Sequence, residues 1–229
     1  MGAPQSQENR EVEGMKISDQ GIAFLVAHEG VVPAPYLDSV NVWTYGVGHT
    51  AAAGAPIPAS MARGMPADLD AALRDVFALF RRDLAKYEAD VNAVLHGKTV
   101  AQHQFDAAVS FHFNTGAIRT ATWVKQWLAG NITAAGLSMM NWKKPASIIP
   151  RRRAEQSLFK SGDYGHQVAA VWPVSTSGKV TWKPVRSLSQ SQIISYLRPG
   201  DQPHPTPKPS TNPLAALIAL LTRIFGGKA

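Results

Sequence analysis

The 229-residue sequence contains no cysteine. This absence excludes disulfide bonds, thiolate nucleophiles and zinc sites built on cysteine. No uncharged apolar run approaches the roughly 20 residues of a membrane-spanning helix, and the polar N-terminus, "MGAPQSQENREVEG", lacks the apolar segment of a secretory signal. We therefore expect neither a spanning segment nor export by a signal peptide of the chain's own.

Acidic residues are scarce relative to basic ones. The sequence has 23 Lys and Arg against 16 Asp and Glu, a formal net charge of +7, which favours an anionic partner such as an acidic polymer, a membrane surface or a nucleic acid. No nucleic-acid-binding motif accompanies the run of arginines at 151–153, so we predict no nucleic-acid partner. The histidines lack His-Glu-x-x-His spacing, so neither a metal nor another cofactor is expected.

The pattern of apolar residues divides the chain into five segments. Residues 1–17 are polar and lack periodicity, which predicts a mobile leader. Residues 18–165 have apolar residues mainly at helical spacing and form the main predicted domain. In the extension over residues 166–198, Val and Trp alternate with turn residues, as in a short hairpin. Six prolines make residues 199–213 a linker, before a short apolar helix and tail at residues 214–229.

The main domain combines one small β-forming segment with several helices. Ser18 can cap a first helix whose last turn carries Glu29, and Gly30 ends that helix. Between residues 31 and 49, Pro and Gly breaks interrupt Val, Tyr, Trp and Thr, which predicts two or three short strands. Four segments with helical spacing follow. We therefore predict the α+β class with a mainly helical body.

Two acidic residues, one just before the predicted β segment and one within it, are placed in a way that suits glycoside hydrolysis. This chemistry commonly uses one carboxyl group that donates a proton to the leaving oxygen and one ionised group on the opposite face of the sugar. Glu29, at the apolar end of a helix, should be partly withdrawn from water, whereas Asp38 lies in a polar loop and should stay ionised. The hydroxyl of Thr44 can help Asp38 to hold a water molecule. The spacing alone also fits two ordinary solvent-facing acids.

The full motif is more specific than the acid pair. In "AHEGVVPAPYLDSVNVWTYGVGHT", eight residues separate Glu29 from Asp38 and five separate Asp38 from Thr44, before "YGVGH". This pattern resembles that of the phage lysozyme family, the T4-type endolysins that cleave peptidoglycan. "LFRRDL", "VSFHFNTG" and "RRRAEQSLF" are similar to the family's later helices and occur in the same order. The resemblance covers residues 18–165.

The resemblance implies a fold and an activity. The implied fold is lysozyme-like, with a small N-terminal β lobe packed on a helical lobe and a cleft between them. The implied activity is that of a muramidase, which hydrolyses the β-1,4 bond between N-acetylmuramic acid and N-acetylglucosamine. Glu29 would be the acid, and Asp38 with Thr44 would place the water. A lytic transglycosylase and a catalytically silent cell-wall-binding protein are the rival interpretations.

The resemblance also implies roles for residues outside the acid pair. It places His49 beside Asp83, joining the β element to the helical body. It places an arginine of the "RRRAE" helix near the catalytic glutamate, and the motif leaves open whether this is Arg151 or Arg152.

A face of another helix is implied to border the saccharide. Ser110 and Asn114 lie four residues apart, so their polar groups share one helical face, and in the family this face borders the cleft. We predict substrate binding for both. Asn114 also fits the alternative role of a capping residue before Gly116.

The biological setting follows from the family. It implies a protein made in the cytoplasm of a bacterial host and released by a holin, which acts in the periplasm on the cell wall and causes lysis. We expect a monomer whose partner is peptidoglycan. The family does not account for the residues after 165. The apolar helix at 214–225 predicts contact with a lipid or outer-envelope surface, or docking on the catalytic domain or a partner chain.

Overall fold

The computed structural model describes residues 14–198, which form an α+β fold. The predicted linker at 199–213 and the predicted envelope-contacting helix at 214–225 lie outside the described residues. Within the described part, no helix is long and apolar enough to cross a membrane. The helices are α1 (Asp19–Glu29), α2 (Leu69–Leu95), α3 (Gln102–Thr115), α4 (Thr122–Leu128), α5 (Ile132–Met139), α6 (Ile149–Ser161) and α7 (Gln190–Leu197). The strands are β1 (Val32–Leu37), β2 (Trp43–Gly46), β3 (His49–Thr50), β4 (Val168–Val171) and β5 (Arg186–Ser189).

Helix α1 ends at the site because of its cap and its stop signal. The hydroxyl of Ser18 accepts the N–H of Gly21 at 2.9 Å and so satisfies one of the free donors of the first turn. Gly30 has a φ of 74°, a left-handed value that favours glycine, and its N–H closes the helix on the Val26 carbonyl. The buried face, Ile22, Phe24, Leu25 and Val26, fixes the helix in the core. Glu29 is therefore held at a rigid end.

Three antiparallel strands in the order β1-β2-β3 form the small lobe. Tyr36 pairs with Thr44, and Leu37 pairs with Trp43. The register is irregular between Val32 and Tyr36, where two prolines lack the N–H that a ladder needs. Both prolines are tolerated because β1 is an edge strand of this sheet.

The segment before α1 is bonded to the helical body. Met15 N donates to Asn92 Oδ1 at 2.9 Å, and Asn92 Nδ2 donates back to the Met15 carbonyl at 2.8 Å. Ile17, which is buried, donates its N–H to Glu88 Oε1 at 2.9 Å. Residues 14–17, which the sequence analysis assigns to a leader, therefore pack on α2, and the remainder of that leader lies outside the described range.

The extension at residues 166–198 shares the core of the main domain. Strands β4 and β5 pair as an antiparallel hairpin, and helix α7 packs on α1 and α2. Val31 N donates to the Ala170 carbonyl at 2.9 Å, and Trp172 N donates to the Val31 carbonyl at 2.8 Å. The hairpin is thereby hydrogen-bonded to the chain just after Glu29. Helix α7 was not expected from the sequence.

Candidate active site

Glu29 lies at the C-terminal end of α1 and forms an ion pair with Arg151 of α6. Nη1 of Arg151 donates to Oε1 of Glu29. The glutamate side chain is 29% exposed, whereas that of Arg151 is 8% exposed. The carboxylate therefore faces the solvent, as a group that must meet a ligand should, and its partner is anchored in the interior. Of the two arginines that the sequence left open, Arg151 is the one that contacts Glu29.

Arg151 is held by a buried polar network. Its Nε donates to Glu155 Oε1 at 3.0 Å, and Ser110 Oγ donates to the same oxygen at 2.8 Å. Nη1 of Arg152 donates to Oε2 of Glu155. Glu155 has no solvent exposure. The network fixes the guanidinium of Arg151, and through it the carboxylate of Glu29.

The protonation of this network reflects opposing effects. Burial lowers the pKa of Arg151, but the negative charges of Glu29 and Glu155 more than offset this, so its pKa is raised and it remains a cation. Burial raises the pKa of Glu155, against the opposing charges of Arg152 and Arg151. Sequence reasoning missed Glu155. Its spacing from both arginines, four residues and three residues, could have indicated it, because side chains at those spacings share a helical face.

The side chain of Asp38 is held by hydrogen bonds within its own turn rather than by contacts with the core. Its Oδ1 accepts the N–H groups of Val40 at 2.9 Å and Val42 at 2.8 Å. Asn41 has a φ of 61°, a left-handed conformation that Asn tolerates better than most residues. The turn thus satisfies Oδ1, and within residues 14–198 no side chain forms an ion pair with Asp38.

Thr44 lies beside this turn and is 3% exposed. Its Oγ1 donates to the Val42 carbonyl at 3.1 Å. Val42 in turn donates its N–H to Asp38. Thr44 therefore supports the Asp38 turn through the backbone, rather than by direct contact with the carboxylate.

Tyr36 is influenced by the charges of both acids. Sequence reasoning missed this residue. Burial, together with the negative charges of Asp38 and Glu29, raises the pKa of its phenol to about 12. Both carboxylates are therefore close enough to Tyr36 to act on its phenol. The only sequence signal was its position two residues before Asp38, which on a strand places both on one face.

His49 and Asp83 are in contact. His49 Nδ1 lies 2.6 Å from Asp83 Oδ2, and His49 Nε2 lies 2.8 Å from the Pro56 carbonyl. The histidine is 3% exposed. The pair joins β3 to α2 and lies away from solvent, which fits a structural role.

The two residues predicted to bind substrate differ in their positions. Asn114 is exposed near the end of α3, and its Oδ1 accepts from Arg152 Nη2 at 2.7 Å. The cap itself is made by Gly116, whose N–H reaches the His112 carbonyl. Ser110 has no solvent exposure and donates to Glu155. Its predicted substrate contact is therefore corrected, because the side chain points into the core.

Within the described residues, no group of three His, Asp or Glu side chains could hold a metal ion. A small β sheet and a helical body, with one acid on a helix end and one on a β turn between them, define the lysozyme-like class of protein.

Comparison with known proteins narrows this class. Residues 26–155 match the model of the phage lysozyme family, and the chain belongs to that family. The endolysin of Salmonella phage P22 is 34% identical over 153 residues, covering 64% of this chain and 99% of that protein. A crystal structure of a P22 lysozyme mutant has a TM-score of 0.54 over 64% of this chain and 99% of its own. The muramidase domain of SpmX from Asticaccaulis excentricus is 30% identical, with a TM-score of 0.52, over 63% of this chain and 97% of its own.

Proposed function

We propose that this protein is a peptidoglycan muramidase that hydrolyses the β-1,4 bond between N-acetylmuramic acid and N-acetylglucosamine. The observation that carries the proposal is the pair of acids in different settings: Glu29 is anchored at the end of α1 by Arg151, and Asp38 is held in the turn after β1 by two backbone N–H groups. Family membership supports the same class of reaction. The net charge of +7 suits an anionic cell wall.

In the proposed reaction, Glu29 donates its proton to the glycosidic oxygen as the bond from that oxygen to the anomeric carbon breaks. A water molecule held by Asp38 bonds to the anomeric carbon from the opposite face, and its proton passes to Asp38. Thr44 keeps the Asp38 turn in place. Arg151 positions Glu29 through the ion pair between the two side chains.

The proposed setting is that of an endolysin that reaches the cell wall from the host cytoplasm and causes lysis, acting as a monomer. The helix at 214–225 and its contact with an envelope surface stay predictions from the sequence. A liposome-binding assay comparing the full chain with one ending at residue 200 tests that contact, and equal lack of binding would remove it.

The test of the main proposal is the turbidity of purified Gram-negative peptidoglycan sacculi after addition of the protein. Wild type should clear the suspension, and Glu29→Gln, which keeps the shape but cannot donate the proton, should not. Glu88→Gln is the matched control, because Glu88 accepts the Ile17 N–H and a glutamine retains that acceptor. It should clear the sacculi like wild type. A folded wild type that binds sacculi without clearing them would contradict the proposal and favour a binding protein.

A further inference from the structure

A pocket of about 560 Å³ lies next to Asp38 and is closed on one side by the extension. One wall is the β1–β2 turn and its approach, with Tyr36, Asp38 and Asn41. The other wall is the tip of the hairpin, with Lys179 and Trp182. Residues 177–182 lie beyond the part of the chain that matches the family, which ends at residue 155. This pocket is therefore built partly from residues that the family match does not include.

The hairpin tip is fixed against the β lobe. Leu37 N donates to the Gly178 carbonyl at 2.9 Å, which joins β1 to the tip. Gly178 has a φ of 83°, and a Cβ at this position would lie 2.5 Å from the Trp43 ring. Such close packing of a glycine turn on an aromatic ring leaves no room for any side chain. The second wall of the pocket is thus held at a defined distance from Asp38.

Trp182 presents an aromatic ring at the pocket. It is 76% exposed, the highest value among the large hydrophobic residues that lie on the surface of the described part. Its ring packs edge to face against Trp172, with centroids 5.4 Å apart. Trp172 lies against the backbone at Gly30, where a Cβ would be 2.6 Å from its Nε1. The exposed Trp182 ring therefore packs on Trp172, which in turn packs on Gly30, the residue that follows Glu29.

The remaining groups of the pocket are polar. Asn41, Ser39 and Ser177 supply amide and hydroxyl groups that can bond to sugar hydroxyls. Lys179 supplies a cation, and within residues 14–198 no carboxylate forms an ion pair with it. An aromatic face beside hydrogen-bonding groups suits a sugar ring, which has one apolar face and a polar rim.

We propose that this pocket is a saccharide subsite that holds the glycan strand next to Asp38, with Trp182 stacked on a sugar ring and Lys179 paired with a carboxylate of the strand's peptide substituent. The subsite rests on the proposed function, since only a strand that is cleaved beside Asp38 would have its neighbouring sugar in the pocket that Asp38 lines. The charge of Asp38 faces the same pocket and directs the anionic substituent to the Lys179 wall.

The first test measures binding by the full chain carrying Glu29→Gln, which prevents turnover. Titration calorimetry with purified glycan strands should give a Kd that Trp182→Ala weakens by about tenfold, the range of a lost aromatic contact. Trp182→Phe should recover most of that loss, because a smaller ring can still stack. The matched control is Val185→Ala, an exposed residue of the same extension outside the pocket, which should bind normally. An unchanged Kd in a folded Trp182→Ala would overturn the proposal.

The second test separates the sugar from its substituent. Lys179→Ala should weaken binding of peptide-bearing strands by about threefold to fivefold, the range of an exposed ion pair, and leave strands stripped of peptide unaffected. Lys183→Ala is the matched control, because Lys183 is an exposed neighbour that does not line the pocket. Equal loss for both kinds of strand, or no loss for either, would contradict the assigned role of Lys179.

The two proposals fail in different ways. If wild type clears sacculi and Trp182→Ala raises KM with little change in kcat, both stand. If wild type clears sacculi and Trp182→Ala leaves KM and Kd unchanged, the subsite is wrong and the muramidase proposal stands. If wild type does not clear sacculi, the muramidase proposal fails, and the subsite fails with it unless Trp182→Ala still weakens binding of the glycan strand.

Discussion

The surroundings of Glu29 and of Asp38 are built differently. On the Glu29 side, the acid lies at a helix end and is tied to a buried network of two arginines, a glutamate and a serine. On the Asp38 side, the acid lies in a surface turn held by its own backbone N–H groups. The first side couples the site to the stability of the core, whereas on the second side Asp38 itself can be changed with little effect on folding.

The largest effect should come from breaking the buried network at Glu155. Glu155→Ala leaves Arg151 and Arg152 buried without their shared partner, so the free energy of unfolding should fall by about 3 to 5 kcal/mol. Urea unfolding followed by circular dichroism measures this. Arg153→Ala, a change to the exposed neighbour in the same helix, is the control and should shift stability by less than about 0.5 kcal/mol. Similar small losses for both variants would show that the network does not support the fold.

The corresponding change on the other side should affect activity instead. Asp38→Asn keeps an oxygen that can accept the Val40 and Val42 N–H groups but cannot take a proton from water. Lysis rates should fall by about 100-fold or more, while the free energy of unfolding changes by less than about 0.5 kcal/mol. Turbidity assays and urea unfolding on one preparation test both statements. Retained activity would remove Asp38 from the proposed chemistry.

A change at Gly178 sharpens the comparison on the Asp38 side, where this residue of the hairpin tip packs on the β lobe. Gly178→Ala combines a left-handed backbone with a clash against the Trp43 ring, and should cost about 1 to 3 kcal/mol. Gly97→Ala has a similar φ of 76° but open space around its Cβ, so it isolates the backbone strain. Thermal unfolding should show the greater loss for Gly178→Ala, and equal losses would mean that the tip is not tightly packed.

The smallest effect should be a pH dependence at the Glu29 side. Burial of the ring, with the nearby charges of Arg151 and Arg152, lowers the pKa of His28 to about 4. Between that pH and the ordinary histidine pKa of about 6.5, the unfolded chain binds a proton that the folded chain does not, so stability falls as pH falls through this window. Because part of the residue is exposed, the change should stay under about 1 kcal/mol.

His28→Gln should remove that part of the pH dependence. Urea unfolding of both proteins at pH 4.5 and pH 7 makes the comparison. If the substitution leaves the difference in the free energy of unfolding between the two pH values unchanged, other groups cause the pH dependence.

The local features of the site were predictable from the residues themselves, whereas long-range contacts were predictable only where the family motif supplied them. Ser18 caps the start of the first helix, and Glu29 and Gly30 place a last-turn acid directly before a stop, so both ends of that helix could be predicted. The family motif led to the contact of His49 with Asp83. Ser110 was misassigned because spacing gives a helical face but does not say whether that face meets a cleft or a buried glutamate.

The packing of the extension was beyond sequence reasoning for a related reason. Val31 is hydrogen-bonded to Ala170 and Trp172, which follow it in the sequence only after nearly the whole main domain. Pairing between such distant residues depends on which strand edges the tertiary fold leaves open. The alternation of Val and Trp predicted a hairpin, but it did not predict that Trp172 would lie on Gly30. Helix α7 is only eight residues long, which is too short for a clear periodic signal.

The most direct test of the central claim, that Glu29 and Asp38 act together to add water across one glycosidic bond, is mass spectrometry of the products from purified sacculi. The digestion is carried out in water enriched in a heavy oxygen isotope. The account predicts hydrated N-acetylmuramic acid ends that carry one labelled oxygen, and their loss with Glu29→Gln or Asp38→Asn. Unlabelled anhydro ends would contradict it and identify a lytic transglycosylase.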